Sequence, residues 1–133
     1  MGRSQRRWLT CAILLIVTPI LWPQAHLVTI AQEAVKNPFT GDPEAIAEGE
    51  HLYLEIGCHG CHGHHAEGAT GPDLTDDVWR YRPTDATLFK AINRGRPGTL
   101  MPPWEGKLTP DQIWKIIAFI RSKYRGDPSK IIW

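Results

Sequence analysis

Three stretches of the chain repeat apolar positions at helical spacing, and the segments between them are dense in glycine, proline and polar side chains. In the first, Ile46, Gly49, Leu52, Tyr53 and Ile56 fall on one helical face, behind an Asp42-Pro43 pair that supplies an N-cap and a proline at the first helical position. A helix is predicted from about Pro43 to about Ile56. A second is predicted from Thr84-Asp85 through Leu88, Phe89 and Ile92, with Gly95 as its stop. The third has the firmest signals: Thr109-Pro110-Asp111-Gln112 reads as a capping box, and Ile113, Trp114, Ile116, Ile117, Phe119 and Ile120 supply a broad apolar face reaching to about Tyr124. No run alternates with a strand period, and no internal repeat is visible. The fold class is therefore all-α, with three main helices.

The connecting segments divide the rest. Residues 57–75 are rich in glycine and polar residues and are expected to form a loop with no element of their own. From Gly95 to Leu108 lie three prolines and three glycines, a shaped loop that contains Met101. Residues 32–41 read as a loosely packed linker, 42–124 as the folded domain, and 125–133 as a tail whose apolar end, Ile131-Ile132-Trp133, has no assigned role.

Ahead of all this, Arg3, Arg6 and Arg7 precede an uncharged apolar run from Trp8 to Trp22 and small residues around Thr29-Ile30-Ala31, the pattern of an export signal over residues 1–31. The run is interrupted by Pro19 and followed by Pro23, which makes it short for a membrane span of about 20 residues. An uncleaved anchor is the alternative, and only then would the protein touch a membrane. Cys11 opens the apolar run instead of closing it, so it reads as an ordinary apolar signal residue. Cleavage after Ala31 removes three of the 15 bases and turns the formal charge from +1 to −2. The remaining charge is lopsided: residues 32–78 hold ten acids against Lys36, and residues 79–133 hold eleven bases against four acids. A charge dipole is expected, an ordinary solvated surface being the alternative. No nucleic-acid partner is expected.

Candidate chemistry sits immediately after the first helix, where Cys58-His59-Gly60-Cys61-His62 spells C-x-x-C-H. Two thiols so placed can add across the vinyl groups of a haem, and the adjacent imidazole is then close enough to bind the iron. A thioredoxin-like site would bring a βαβ pattern, and a zinc site a second ligand pair at regular spacing; neither is present. One covalent haem c is expected, loaded outside the cytoplasm on an unfolded chain. That favours the general secretory route over the twin-arginine route faintly suggested by Arg6-Arg7. With Cys58 and Cys61 both committed, no disulfide is left to a domain of about 100 residues, and the haem must act as its staple.

With these elements placed, residues 42–124 resemble class I c-type cytochromes. The resemblance is carried by Cys58–His62 directly after a helix, by Gly71-Pro72 followed by Leu74, by Met101-Pro102 in a loop, and by a closing helix with Trp114. It implies that loops wrap one haem between the helices, and that Gly49, Tyr53 and Trp114 lie where the first and last helices cross. It implies that one ring nitrogen of His62 binds iron while the other donates to the carbonyl of Pro72, a residue that otherwise reads as a turn proline. Met101, the sole methionine after signal removal, is the expected sixth ligand. His64 and His65 follow His62 too closely to reach the opposite haem face and read as exposed polar residues, and His51 reads as a surface residue. Trp104 is assigned either to the haem crevice, hydrogen-bonding a propionate, or to core packing.

Histidine on one face and methionine on the other raise the potential and leave no vacant site for oxygen or peroxide, so the expected chemistry is one-electron transfer and not enzymatic turnover. The string from Gly63 to Asp77, Trp79, Tyr81 and Met101-Pro102-Pro103-Trp104 further resembles the cytochrome cL-like electron acceptors of PQQ-dependent alcohol or methanol dehydrogenases. This implies a periplasmic carrier with such a dehydrogenase as donor and an oxidase or another cytochrome as acceptor. Arg80, Arg82, Lys90, Arg94 and Arg96 crowd the segment before the Met101 loop and are expected to steer docking. Two rivals stand beside this reading. One is a haem enzyme or gas sensor with an open sixth position, for which His51 or Arg94 would have to be the distal acid-base group; the other is a structural zinc module.

Overall fold

The computed structural model describes residues 35–131. They form four α-helices, α1 (Pro43–Glu55), α2 (His59–His62), α3 (Asp85–Arg94) and α4 (Pro110–Ser122), followed by a 3-10 turn at Pro128–Lys130. Among the described residues there is no strand, only an isolated bridge between Glu105 and Leu108. The expected signal segment, and Ile132 and Trp133 of the tail, lie outside the described residues. No helix among those described is long and apolar enough to cross a membrane.

The three long helices start where their caps place them. The Asp42 carboxylate accepts the N–H groups of Glu44 and Ala45, Thr84 caps α3 through the Thr87 N–H, and Thr109 and Gln112 close a reciprocal capping box on α4. Each satisfies backbone donors that have no partner inside the helix. α1 and α4 then cross at Gly49, where a Cβ would lie 2.0 Å from the Lys115 carbonyl oxygen, so only a hydrogen fits. Beside that contact Tyr53 and Phe119, both fully buried, meet at a ring separation of 5.1 Å. Ile113, Ile116 and Ile117 are also fully buried, and Leu88 and Ile92 of α3 close the core from the other side.

Three local expectations are corrected. The described part of the expected 32–41 linker, residues 35–41, is not loosely packed: Asn37 is buried, its N–H donates to Asp85 Oδ2 at 2.8 Å, and its Nδ2 donates to the Trp114 carbonyl at 2.8 Å. Asp85 is itself fully buried and accepts from Arg121 at 2.8 and 3.0 Å. One polar side chain thus ties the lead-in to α3 and α4, and no apolar periodicity could have revealed it. The 57–75 segment begins with a helical turn, α2, because the cysteine-histidine spacing is itself helical. Finally, α4 stops at Ser122 and hands Tyr124 to a hydrogen bond with Asp77. Arg125 beyond it donates from its backbone N–H to the Thr75 carbonyl at 2.7 Å and from its guanidinium to Asp73 at 2.8 Å. The tail is strapped to the loop that follows His62.

Candidate haem-binding site

Tyr53, near the end of α1, accepts the Cys58 N–H at 3.0 Å, and Gly57 turns the chain with φ of +87°. Positions 58, 61 and 62 then stand three and four residues apart on one helical turn, so Cys58, Cys61 and His62 share a face. The His62 N–H closes that turn on the Cys58 carbonyl at 3.0 Å. Cys58 is half-buried and packs against the core, whereas Cys61 is exposed. Burial, with the neighbouring Cys61 adding to it, pushes the Cys58 thiol up to about 11.

His62 Nδ1 lies 2.9 Å from the Pro72 carbonyl oxygen. A carbonyl only accepts, so Nδ1 carries the proton and Nε2 is left with the lone pair a metal needs. The approach depends on Gly71: a Cβ there would come within 3.0 Å of both the Cys61 carbonyl oxygen and His62 Cε1. The Gly71 N–H donates to that same Cys61 carbonyl at 2.8 Å, and the Gly68 N–H donates to the His62 carbonyl at 2.7 Å. From below, the Tyr53 phenol donates to the Gly63 carbonyl at 2.8 Å. Burial raises the Tyr53 pKa above its ordinary value, with Cys58, Glu67 and Cys61 adding to the effect, so the phenol stays a donor. His64 and His65 point to solvent as expected.

The second half of the site is the Met101 loop. Gly95, with φ of +65°, ends α3 where a Cβ would sit 2.7 Å from the Met101 carbonyl oxygen and the Pro102–Pro103 peptide. The loop folds back through the Arg96 N–H to the Met101 carbonyl at 3.1 Å and the Trp104 N–H to the Ile92 carbonyl at 3.1 Å. Met101 is half-buried and joins Cys58, Leu74, Trp79 and Trp104 against the buried core. Trp104 thus packs on the core, with the Lys107 ammonium 5.5 Å above its ring. Sequence reasoning named Gly95 only as a helix stop and Tyr53 only as a packing residue. Gly95 next to an arginine-proline-glycine run hinted at the close approach, but nothing local marked the phenol's reach to Gly63.

The donor set fits a haem: two thiols and an imidazole on one helical turn, the imidazole already in the right tautomer, and a thioether on a separately anchored loop with apolar walls. Among the described residues no three His, Cys, Asp or Glu side chains converge on a site for a bare metal ion.

Fold and site define a class I c-type cytochrome. The family described as cytochrome c oxidase, cbb3-type, subunit III matches residues 44–120, and the chain belongs to it. Haem c is accordingly the cofactor that Cys58 and Cys61 are set to carry. Cytochrome c-L of Methylorubrum extorquens is 40% identical over 105 residues, which are 76% of this chain and 51% of that protein. The cbb3-type cytochrome c oxidase subunit FixP of Bradyrhizobium diazoefficiens is 37% identical over 78 residues, 57% of this chain and 27% of that one. Among solved structures, cytochrome cL from the marine methylotroph Methylophaga aminisulfidivorans superposes with a TM-score of 0.67 at 43% identity, covering 71% of this chain and 63% of that one. The chain spans about half, or less, of the length of these two curated relatives.

Proposed function

We propose that the chain is an exported, periplasmic one-electron carrier. In this reading Cys58 and Cys61 hold the haem as thioethers, and His62 Nε2 and Met101 Sδ are its axial ligands. A haem so ligated supplies a one-electron ferric/ferrous couple. The residues around it do the rest: Pro72 fixes the imidazole, the Gly95–Met101 contact presents the thioether, and Trp104 with Leu74 keeps water from the apolar wall. The observation that carries the reading is the anchored, half-buried Met101 loop packed with Cys58 against the core. It argues against an open distal site, and so do the rivals' acid-base candidates. His51 lies exposed beside Glu55 at 3.5 Å, and Arg94 is exposed on α3.

Similarity to cytochromes cL over three quarters of the chain supports a PQQ-dependent methanol or alcohol dehydrogenase as donor and an oxidase or another cytochrome as acceptor. The test is Met101→Ala in protein from its own host. The haem should stay attached, the potential should fall, and carbon monoxide should bind the ferrous variant rapidly but not the parent. Rapid carbon monoxide binding to the parent protein would instead establish an open site. Mass spectrometry of the same preparation reports haem attachment and signal cleavage together.

A further inference from the structure

The Pro72 carbonyl that accepts from His62 belongs to the peptide bond leading into Asp73. A peptide unit is flat and the proline ring fixes its own φ, so whatever fixes Asp73 also aims that oxygen. On the His62 side the loop is held by the Gly71 N–H on the Cys61 carbonyl and by the Leu74 N–H on the Ala66 carbonyl, both at 2.8 Å. Gly68, with φ of +88°, lets the chain pass where a Cβ would lie 2.8 Å from the Asp73 nitrogen. None of these contacts engages the Asp73 carboxylate.

That carboxylate is gripped from the far end of the sequence. Asp73 Oδ1 accepts the Thr75 N–H at 2.7 Å and the Thr75 hydroxyl at 2.6 Å, and Oδ2 accepts the Arg125 guanidinium at 2.8 Å. Thr75 is fully buried; its hydroxyl oxygen accepts Arg125 Nε at 2.9 Å and its carbonyl accepts the Arg125 N–H at 2.7 Å. Two nitrogens of the guanidinium and the backbone of the same residue thus close on Asp73 and Thr75 together. Arg125 can serve as a fixed post because α4 ends just before it, at Ser122, and that helix is seated in the core through Phe119 and Ile120.

The ion pair by itself does not account for this arrangement. The Arg125 side chain is 64% exposed, and a solvated pair adds little to stability. What the clamp supplies is direction, since it locks the residue whose peptide oxygen holds the imidazole. A carbonyl kept at hydrogen-bonding distance fixes the Nδ1–H tautomer and makes Nε2 the more basic donor.

We propose that Arg125 is a positioning residue for the His62 imidazole, acting through Asp73 and Pro72, and that it holds the potential of the carrier down; this rests on the electron-carrier reading above. The two non-covalent links in that path, Arg125 to Asp73 and His62 to Pro72, are 2.8 and 2.9 Å. A more basic imidazole favours the ferric state, so a Pro72 carbonyl released from the clamp weakens the Nδ1–H bond and raises the potential. Loss of a nearby positive charge acts in the opposite direction, because it favours the ferric state by Coulomb attraction alone. The sign of the shift therefore separates positioning from charge.

The test measures the potential of the holoprotein and, by NMR, the solvent exchange of the His62 Nδ1 proton in its ferrous form. Arg125→Gln should raise the potential and speed that exchange several-fold. Arg125→Lys keeps the charge but not the fork, so it should shift both in the same direction by less, and it stands in should the glutamine variant fold poorly. Lys130→Gln removes an equal charge from the same tail, where Lys130 meets Asp77 at 3.3 Å, and should neither raise the potential nor speed the exchange. Exchange at the parent rate in Arg125→Gln, with a potential unchanged or lowered, would overturn the positioning role. An equal rise in Lys130→Gln would overturn it too, by assigning the effect to general loosening of the tail. Absence of hyperfine-shifted His62 ring signals from the ferric parent would remove the proposed ligation and the positioning role together, an outcome distinct from His62 signals that no Arg125 variant moves.

Discussion

The α1–α4 crossing and the Met101 loop are built on opposite principles. At the crossing, two helices with their own caps and apolar faces meet through Gly49, and Tyr53, Phe119, Ile113, Ile116 and Ile117 are sealed from water. The Met101 loop has no element of its own; it is held by a left-handed glycine, backbone hydrogen bonds to α3 and half-buried side chains. The first region can gain most of its burial from chain alone. In the carrier reading proposed above, the second presents its apolar wall to the porphyrin, so its order depends on the cofactor.

Removing the covalent haem should expose that contrast most strongly. With Cys58 and Cys61 both changed to serine, the 95–108 loop and the 63–75 segment should lose amide protection against hydrogen exchange, while α1 and α4 keep residual helicity. Dispersed, sharp amide resonances throughout the haem-free variant would show that the chain supplies both regions unaided.

Next in size is the polar anchor that joins the lead-in to the helices. Arg121→Met leaves Asp85 buried without its counter-charge, and loss of one partner of a buried pair costs about 3–5 kcal/mol. Chemical denaturation of the holoprotein should report a shift of that order, with the spectrum unchanged because the haem contacts are elsewhere. A shift confined to a few tenths would mean that Asn37 and water suffice for Asp85.

Tyr53→Phe probes the point where the two regions meet. It keeps the ring against Phe119 but removes the hydrogen bond to Gly63, worth about 0.5–1.5 kcal/mol. A small loss of stability accompanied by broadened His62 resonances is expected. Equal broadening in every helix would assign the phenol to general packing.

The smallest expected effect is at the tail. Burial pushes the Asp73 carboxyl up, but the Thr75 hydroxyl and N–H and the Arg125 guanidinium pull it below its ordinary value. A carboxyl depressed in the folded state contributes stability that is present above its unfolded pKa of about 3.9 and lost as pH falls through the folded value. The Arg125 strap should therefore loosen only below about pH 4, with faster exchange of the Arg125 amide. Asp73→Asn should abolish that acid sensitivity.

Local chemistry carried much of this into the sequence. The caps and apolar faces of α1, α3 and α4 and the exposed positions of His64 and His65 follow from spacing or immediate neighbours, and such signals survive in a linear reading; Gly49 at the α1–α4 crossing was expected by resemblance, and the helical turn of α2 was not expected. The contact of His62 with Pro72 was expected by resemblance, not from spacing. What only the tertiary structure decided is polar and long-range: Asn37 with Asp85 and Trp114, Arg125 with Asp73, Tyr53 with Gly63, and Lys115 with Glu48. A hydrogen bond between residues tens of positions apart leaves no period, because its partners need share neither composition nor spacing. It exists only once the helices have packed and brought one buried donor to one buried acceptor.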